Sequence, residues 1–227
     1  MEAAMGMYTS RHPAARIKIP AHLFMSVIRL YCRLKVEGSE HIPEHGPFLL
    51  VANHTSHADT PLLYASLPSK LWPNVVAAAA SDYFFTGGTM EKVSRVLFNT
   101  IPIARKPKVG VDPLRHVVRA LREGYGVVLY PEGTRSRDGS MAQFRSGVGR
   151  LLADFPYLPV LPAYIEGTGR VMPKNRVLPR PYPVTVRFGP VIDHLVADPG
   201  NKHTWRAVSR ELHDVVAALG EGQASIK

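Results

Sequence analysis

Along the chain, apolar runs of strand length alternate with amphipathic stretches of helix length, each bounded by turn residues. Strands are predicted at Phe48 to Ala52, Val75 to Ala80, Thr100 to Ala104, Gly126 to Tyr130, Val160 to Ile165 and Val184 to Phe188. Most of these runs lack polar alternation, the pattern of strands covered on both faces. Helices are predicted from Asp112 to Arg122, opened by Asp-Pro and closed by Glu123-Gly124, and from Trp205 to Leu219, stopped by Gly220. The Pro-rich stretch 172–183 reads as an irregular surface connection. The pattern predicts a single α/β domain with a mostly parallel mixed sheet flanked by helices. In such folds the loops at the strand ends are the usual place for a site.

After Pro20, apolar Leu23, Phe24, Val27, Ile28, Leu30, Tyr31 and Leu34 recur at helical spacing, with His22, Arg29, Arg33 and Lys35 interleaved. Residues 1–35 therefore read as an N-terminal segment holding an amphipathic basic helix, ahead of the main domain at 36–227. Such a helix can lie in an anionic membrane interface or pack on the domain core, and the sequence is consistent with either.

Length and composition narrow the classes. The 227 residues suit one domain, and 45% hydrophobic with 20% charged residues places the chain among folded globular proteins. One cysteine, Cys32, excludes an intramolecular disulfide framework and a cysteine zinc site, and fits a reducing compartment. The longest apolar stretches fall short of the ~20 residues that cross a bilayer. The apolar stretch at the N-terminus is broken by Arg11, His12, Pro13, Arg16 and Lys18, so a secretory signal is not expected. A cytoplasmic protein is expected, attached peripherally to the cytoplasmic face of the membrane where the basic helix lies in the interface. The net charge of +10 favours an anionic partner: nucleic acid, lipid headgroups or a phosphorylated substrate. No helix-turn-helix, zinc-finger or RNA-binding signature accompanies it, and no nucleic-acid partner is expected.

Residues 53 to 59 read Asn-His-Thr-Ser-His-Ala-Asp. In a strand His54 and Asp59 would lie roughly 16 Å apart on opposite faces, and in a helix about 140° apart around the axis. A turn leading into a helix can pair them, and Pro61 marks a plausible first helical position. A metal site at His54, His57 and Asp59 lacks further ligands at recognisable spacing. A Ser56 nucleophile lacks the small-residue elbow that exposes such a serine. A histidine base oriented by a carboxylate needs only His54 and Asp59. The plainest alternative makes Asp59 a helix N-cap and His54 a loop histidine.

The strand ending at Tyr130 runs into Pro-Glu-Gly-Thr-Arg-Ser at 131 to 136. Arg135 can offer a forked pair of donors to a phosphate, with Thr134, Ser136 and backbone N–H groups adding hydrogen bonds. A third stretch, Ile-Pro-Ile-Ala-Arg-Lys at 101 to 106, ends in two cations.

These pieces, in this order, resemble the PlsC-like glycerolipid acyltransferase family, which includes the lysophosphatidate acyltransferases. Asn53, His54 and Asp59 meet the family's Asn-His-x4-Asp block, and Ile101 to Arg105 its second block. Tyr130 to Ser136 match Phe-Pro-Glu-Gly-Thr-Arg-Ser with tyrosine for phenylalanine, and Leu158 to Tyr164 match its apolar, proline-containing fourth block. The resemblance implies transfer of an acyl group from a thioester, acyl-CoA or acyl carrier protein, to a lysophospholipid hydroxyl without a covalent intermediate or a cofactor. It implies His54 and Asp59 as base and orienting acid. Arg105, Glu132, Gly133, Thr134, Arg135 and Ser136 are implied around the acceptor phosphate, with Asn53, Pro131 and Pro162 in support. His57 is expected to be structural or solvated. Rival expectations are the same chemistry on another lysolipid, alcohol or amine acceptor, a non-catalytic basic lipid-binding protein, and a metal-dependent hydrolase.

Overall fold

The computed structural model describes residues 14–81, 98–104, 109–136, 138–173 and 178–222, without the side chains of 14–20. Arg105, Tyr83, Phe84 and Phe85 lie outside the described residues. The strands are β1 (Lys35–Glu37), β2 (Phe48–Ala52), β3 (Val75–Ala80), β4 (Ile101–Ile103), β5 (Gly126–Leu129), β6 (Val160–Glu166) and β7 (Thr185–Phe188). The helices are α1 (Ala14–Tyr31), α2 (Asp59–Ser66), α3 (Arg115–Arg122), α4 (Gly147–Asp154), α5 (Thr168–Val171) and α6 (Lys202–Gly220).

Among the described residues the strands form one sheet in the order β1-β7-β6-β2-β5-β3-β4. Only the β6–β7 pair is antiparallel. β2 lies between β5 and β6, with Leu50 opposite Val128 on one side and Leu161 on the other. All five of its residues are buried. Phe48, Leu50 and Ala52 point into a core shared with α1 and α2, while Leu49 and Val51 point into a second core shared with α3, α4 and α6. The lack of polar alternation in the sequence thus records a sheet sandwiched between two helical layers.

The differences from the sequence pattern have local causes. The helix expected from Asp112 begins at Arg115, because Asp112 turns one carboxylate oxygen onto Leu114 N (2.9 Å) and the other onto Arg150 (2.5 Å). The helix expected from Trp205 begins at Lys202, where the side chain of Asn201 accepts the N–H groups of His203 and Thr204. α2 begins at Asp59 after Ala58, so Asp59 is neither N-cap nor followed by a proline at the first position; Pro61 is two residues further in. α4 is unexpected because Gly147 and Gly149 oppose helix formation. Its packing needs them: a Cβ on Gly149 would lie 2.0 Å from the carbonyl oxygen of Trp205 in α6. β1 was also unexpected, being three residues stabilised by pairing with β7.

α1 starts ahead of Pro20 and has two kinds of face. Met25 is buried and Ile28 packs against the core shared with α2, while Leu23, Val27 and Leu30 stay exposed. Arg29 donates to the carbonyl of Ala65 in α2 at 2.5 Å, which ties the two helices together. Among the described residues no helix is long and apolar enough to cross a membrane.

Candidate active site

The two polar loops meet at the carboxyl ends of the adjacent central strands β2 and β5, the edge where open α/β sheets place ligands. Asn53, the first residue after β2, is buried and uses its side-chain amide as a further rung of the sheet. Its Nδ2 donates to Ile165 O at 3.0 Å and its Oδ1 accepts Ile165 N at 2.7 Å. His54 therefore follows a residue already fixed to β6.

The chain then turns into α2 and brings Asp59 back to His54. His54 Nδ1 lies 2.7 Å from Asp59 Oδ2, which also accepts the backbone N–H groups of Thr55 (2.7 Å) and Ser56 (2.9 Å). A carboxylate oxygen already taking amide protons is an acceptor, so Nδ1 is the protonated ring nitrogen and Nε2 carries the free lone pair. Asp59 is fully buried at the start of α2, where the unpaired helix amides favour negative charge. Its Oδ1 has no hydrogen-bond partner among the described residues. The His54 side chain keeps 20% of its surface exposed, enough for a reactant to reach it.

Ser56 and Thr55 brace this loop from behind. Ser56 Oγ donates to Met172 O and accepts Ala58 N, and Thr55 Oγ1 pairs with the buried hydroxyl of Thr168 at 2.8 Å. A serine hydroxyl so engaged inside the fold is a brace rather than an exposed nucleophile.

The second loop is bolted to the first through the backbone. Glu132 Oε1 accepts His54 N at 2.6 Å, and Ser136 N donates to His54 O at 2.8 Å. The other Glu132 oxygen accepts Ala142 N at 2.9 Å. Glu132 was expected around the phosphate, but its carboxylate is buried and turned onto two amides, the geometry of a clamp. Burial pushes its carboxyl above the ordinary range, against the downward pull of the Ala142 and His54 amides. Gly133 adopts φ +71°, and a Cβ there would lie 2.6 Å from Arg145 Nε. Thr134 is exposed, Arg135 half-buried, and the Ser136 hydroxyl bonds Asp138 (3.1 Å) and Gly139 N.

His57 sits beside this cluster. Burial, helped by the charges of Arg135 and His54 and opposed by Asp59, lowers its imidazole to about 4 from 6.5. It is neutral at physiological pH. Pro131 is buried and accepts Arg145 N through its carbonyl. Pro162 lies within β6 opposite Val51, and supports the sheet rather than the rim. Among the described residues no three His, Cys, Asp or Glu side chains group as a metal site.

Two contributors were not anticipated. Tyr130 stacks on His54 with ring centroids 4.2 Å apart and planes 15° from parallel. Its hydroxyl lies 3.0 Å from Thr60 Oγ1. Arg145 lies over Gly133 and donates from Nε to Glu132 O at 3.2 Å. An aromatic ring ending β5 was visible in the sequence as a motif position, but its partner was not. Arg145 carries no spacing signal.

An α/β sheet covered by helices on both faces, whose central strands lead a His–Asp pair and a Pro-Glu-Gly-Thr-Arg-Ser turn to one edge, defines a class, and the comparisons name it. The acyltransferase family model matches residues 33–166, and the chain belongs to that family, in its PlsC-like branch. It is 28% identical over 162 residues to the 1-acyl-sn-glycerol-3-phosphate acyltransferase of Limnanthes douglasii, covering 70% of this chain and 54% of that protein. Identity to tafazzin of Drosophila melanogaster is 27% over 179 residues, covering 75% of this chain and 47% of that one. The fold aligns with the crystal structure of the 1-acyl-sn-glycerophosphate (LPA) acyltransferase PlsC from Thermotoga maritima at a TM-score of 0.69 and 25% identity, covering 97% of this chain and 86% of the other. The chain spans about half the length of the curated relatives it matches.

Proposed function

We propose that this protein moves a fatty acyl group from an acyl thioester, coenzyme A or acyl carrier protein, to the free hydroxyl of a lysophospholipid, converting 1-acyl-glycerol-3-phosphate to phosphatidate. The observation that carries this reading is the pairing of His54 with Asp59 at 2.7 Å, with the His54 backbone held by the Glu132 carboxylate and the Ser136 amide of the loop that presents Arg135. With Nδ1 held by Asp59, Nε2 takes the proton of the acceptor hydroxyl as its oxygen bonds to the thioester carbonyl carbon. The tetrahedral intermediate then expels the thiolate, breaking the C–S bond, and the imidazolium returns the proton to sulfur. The buried carboxylate stabilises the imidazolium formed between these steps. Arg135, Thr134 and the amides of the turn hold the acceptor phosphate, with Arg105 as a further cation. Positioning the hydroxyl against Nε2 supplies much of the rate. The acyl donor is the only group required besides the acceptor.

The exposed Leu23, Val27 and Leu30 of α1 suit a protein that takes both substrates at an anionic membrane surface, on its cytoplasmic face. Because Met25 and Ile28 hold α1 on the fold, replacing the three exposed side chains by glutamine tests attachment without unpacking the helix. Vesicle binding should fall, and undiminished binding would remove α1 as the anchor.

The deciding experiment supplies purified protein with acyl-CoA or acyl carrier protein and lysophosphatidate and follows thiol release, with and without chelator. Acceptor-dependent release that survives chelation is expected, and His54→Ala should lower it about a hundredfold to ten-thousandfold. Absence of acceptor-dependent release from every thioester donor would reject the reading, and loss on chelation would favour a metal-dependent hydrolase.

A further inference from the structure

The bond from His54 Nδ1 to Asp59 Oδ2 opposes a pivot of the imidazole about Cβ–Cγ, but a single hydrogen bond at the ring edge is a soft restraint on that torsion. A pivot of a few tens of degrees swings Nε2 off the path of the incoming hydroxyl. The plane needs its own constraint, and the structure holds a candidate. The Tyr130 ring lies 4.2 Å from His54 at 15° between planes, a near-parallel contact that opposes the pivot. Tyr130 is itself 9% exposed, and its hydroxyl is fixed at 3.0 Å to Thr60 Oγ1.

Thr60 follows Asp59 in the first turn of α2. Consecutive residues of one turn thus restrain the same imidazole, Asp59 directly at its edge and Thr60 through the ring of Tyr130 against its face. The contact has a second effect. A ring face at this distance attracts a cation, so it favours the imidazolium formed during turnover over the neutral imidazole. The phenol stays protonated and can donate to Thr60, since burial and the nearby Asp59 charge push it well above its ordinary range.

Accordingly we infer that Tyr130, anchored by Thr60, is a positioning residue that sets the plane of the His54 base. This rests on His54 acting as the base, as proposed above. Tyr130→Leu removes the ring, Tyr130→Phe keeps the ring but not its anchor, and Thr60→Val removes the anchor from the other side. In Tyr130→Leu, kcat is expected to fall about tenfold to hundredfold, with KM for donor and acceptor unchanged, the signature of lost alignment. Tyr130→Phe should recover most of that loss. Tyr130→Phe and Thr60→Val should each cost about two- to tenfold, and together no more than either alone, because both delete one hydrogen bond.

Proton NMR of the His54 ring gives a readout independent of turnover. Its ring protons should lose an upfield ring-current shift in Tyr130→Leu and keep it in Tyr130→Phe. A folded Leu variant with turnover within about twofold of the parent, or with its loss in acceptor KM, overturns the inference. So does an unchanged His54 ring shift. If Tyr130→Leu does not fold, additive losses in the Phe and Val pair overturn it instead. Failure of the base assignment is seen separately, as retained turnover in His54→Ala alongside a Tyr130-dependent ring shift in the protein that keeps His54.

Discussion

The carboxylate of Glu132 accepts the backbone N–H of His54 at 2.6 Å, so an acid of the second loop holds the peptide that carries the imidazole. Its other oxygen holds Ala142, and the return bond from Ser136 N to His54 O closes the lock. The His54 loop and the Glu132 loop are therefore tied to each other, although 78 residues separate His54 from Glu132.

Glu132→Gln replaces one of those acceptors with an NH2 group facing an amide donor. We expect unfolding stability to fall by about 1–3 kcal/mol in urea, with kcat reduced for phosphorylated and uncharged acceptors alike. A loss confined to phosphorylated acceptors would mean that Glu132 touches the phosphate after all.

Arg135→Ala should behave in the opposite way. Weakened use of lysophosphatidate by about 1.5–3 kcal/mol in kcat/KM is expected, the scale of one hydrogen bond to a charged group. An uncharged acceptor analogue should be used nearly as well as by the parent enzyme. Equal losses on both acceptors would contradict a phosphate contact.

Asn53 makes two hydrogen bonds to the backbone of Ile165 from a buried site. Asn53→Asp keeps the shape but sets a carboxylate oxygen against the Ile165 carbonyl. It should destabilise more than Asn53→Ala, by several kcal/mol at neutral pH, with part of the loss recovered at low pH as the acid gains a donor proton. Urea midpoints at two pH values test this.

His57 gives stability an acid dependence. Its imidazole titrates at about 4 when folded and at 6.5 ordinarily, so between those values the unfolded chain binds more protons. Stability from this residue is intact above 6.5 and is lost as pH falls towards about 4. His57→Gln should flatten the melting temperature against pH across that window and leave neutral pH little changed. An unaltered acid slope would show that His57 is not held neutral.

The fold was legible wherever burial left an uninterrupted apolar run: β2, β3, β5 and β6 lie within a residue of their expected bounds. It was not legible where tertiary contact overrides local preference. Gly149 argues against a helix in the sequence, yet α4 needs it because α6 comes too close for a side chain. In the site, the five-residue separation of His54 and Asp59 pointed to a turn that pairs them. The inward aim of Glu132 could not be read, since in sequence a loop carboxylate looks the same whether it faces solvent or two amides. Tyr130 and Thr60 are 70 positions apart, and only the pairing of β5 beside β2 brings them into contact.

α1 lies against α2, the eight-residue helix that begins with Asp59. α2 thus connects the helix that carries the outward Leu23, Val27 and Leu30 with the loop of His54. A surface that receives Leu23, Val27 and Leu30 does more than raise the local concentration of enzyme. It would set the molecule's rotation as well as its depth, and with them the bearing of the exposed part of His54 relative to that surface.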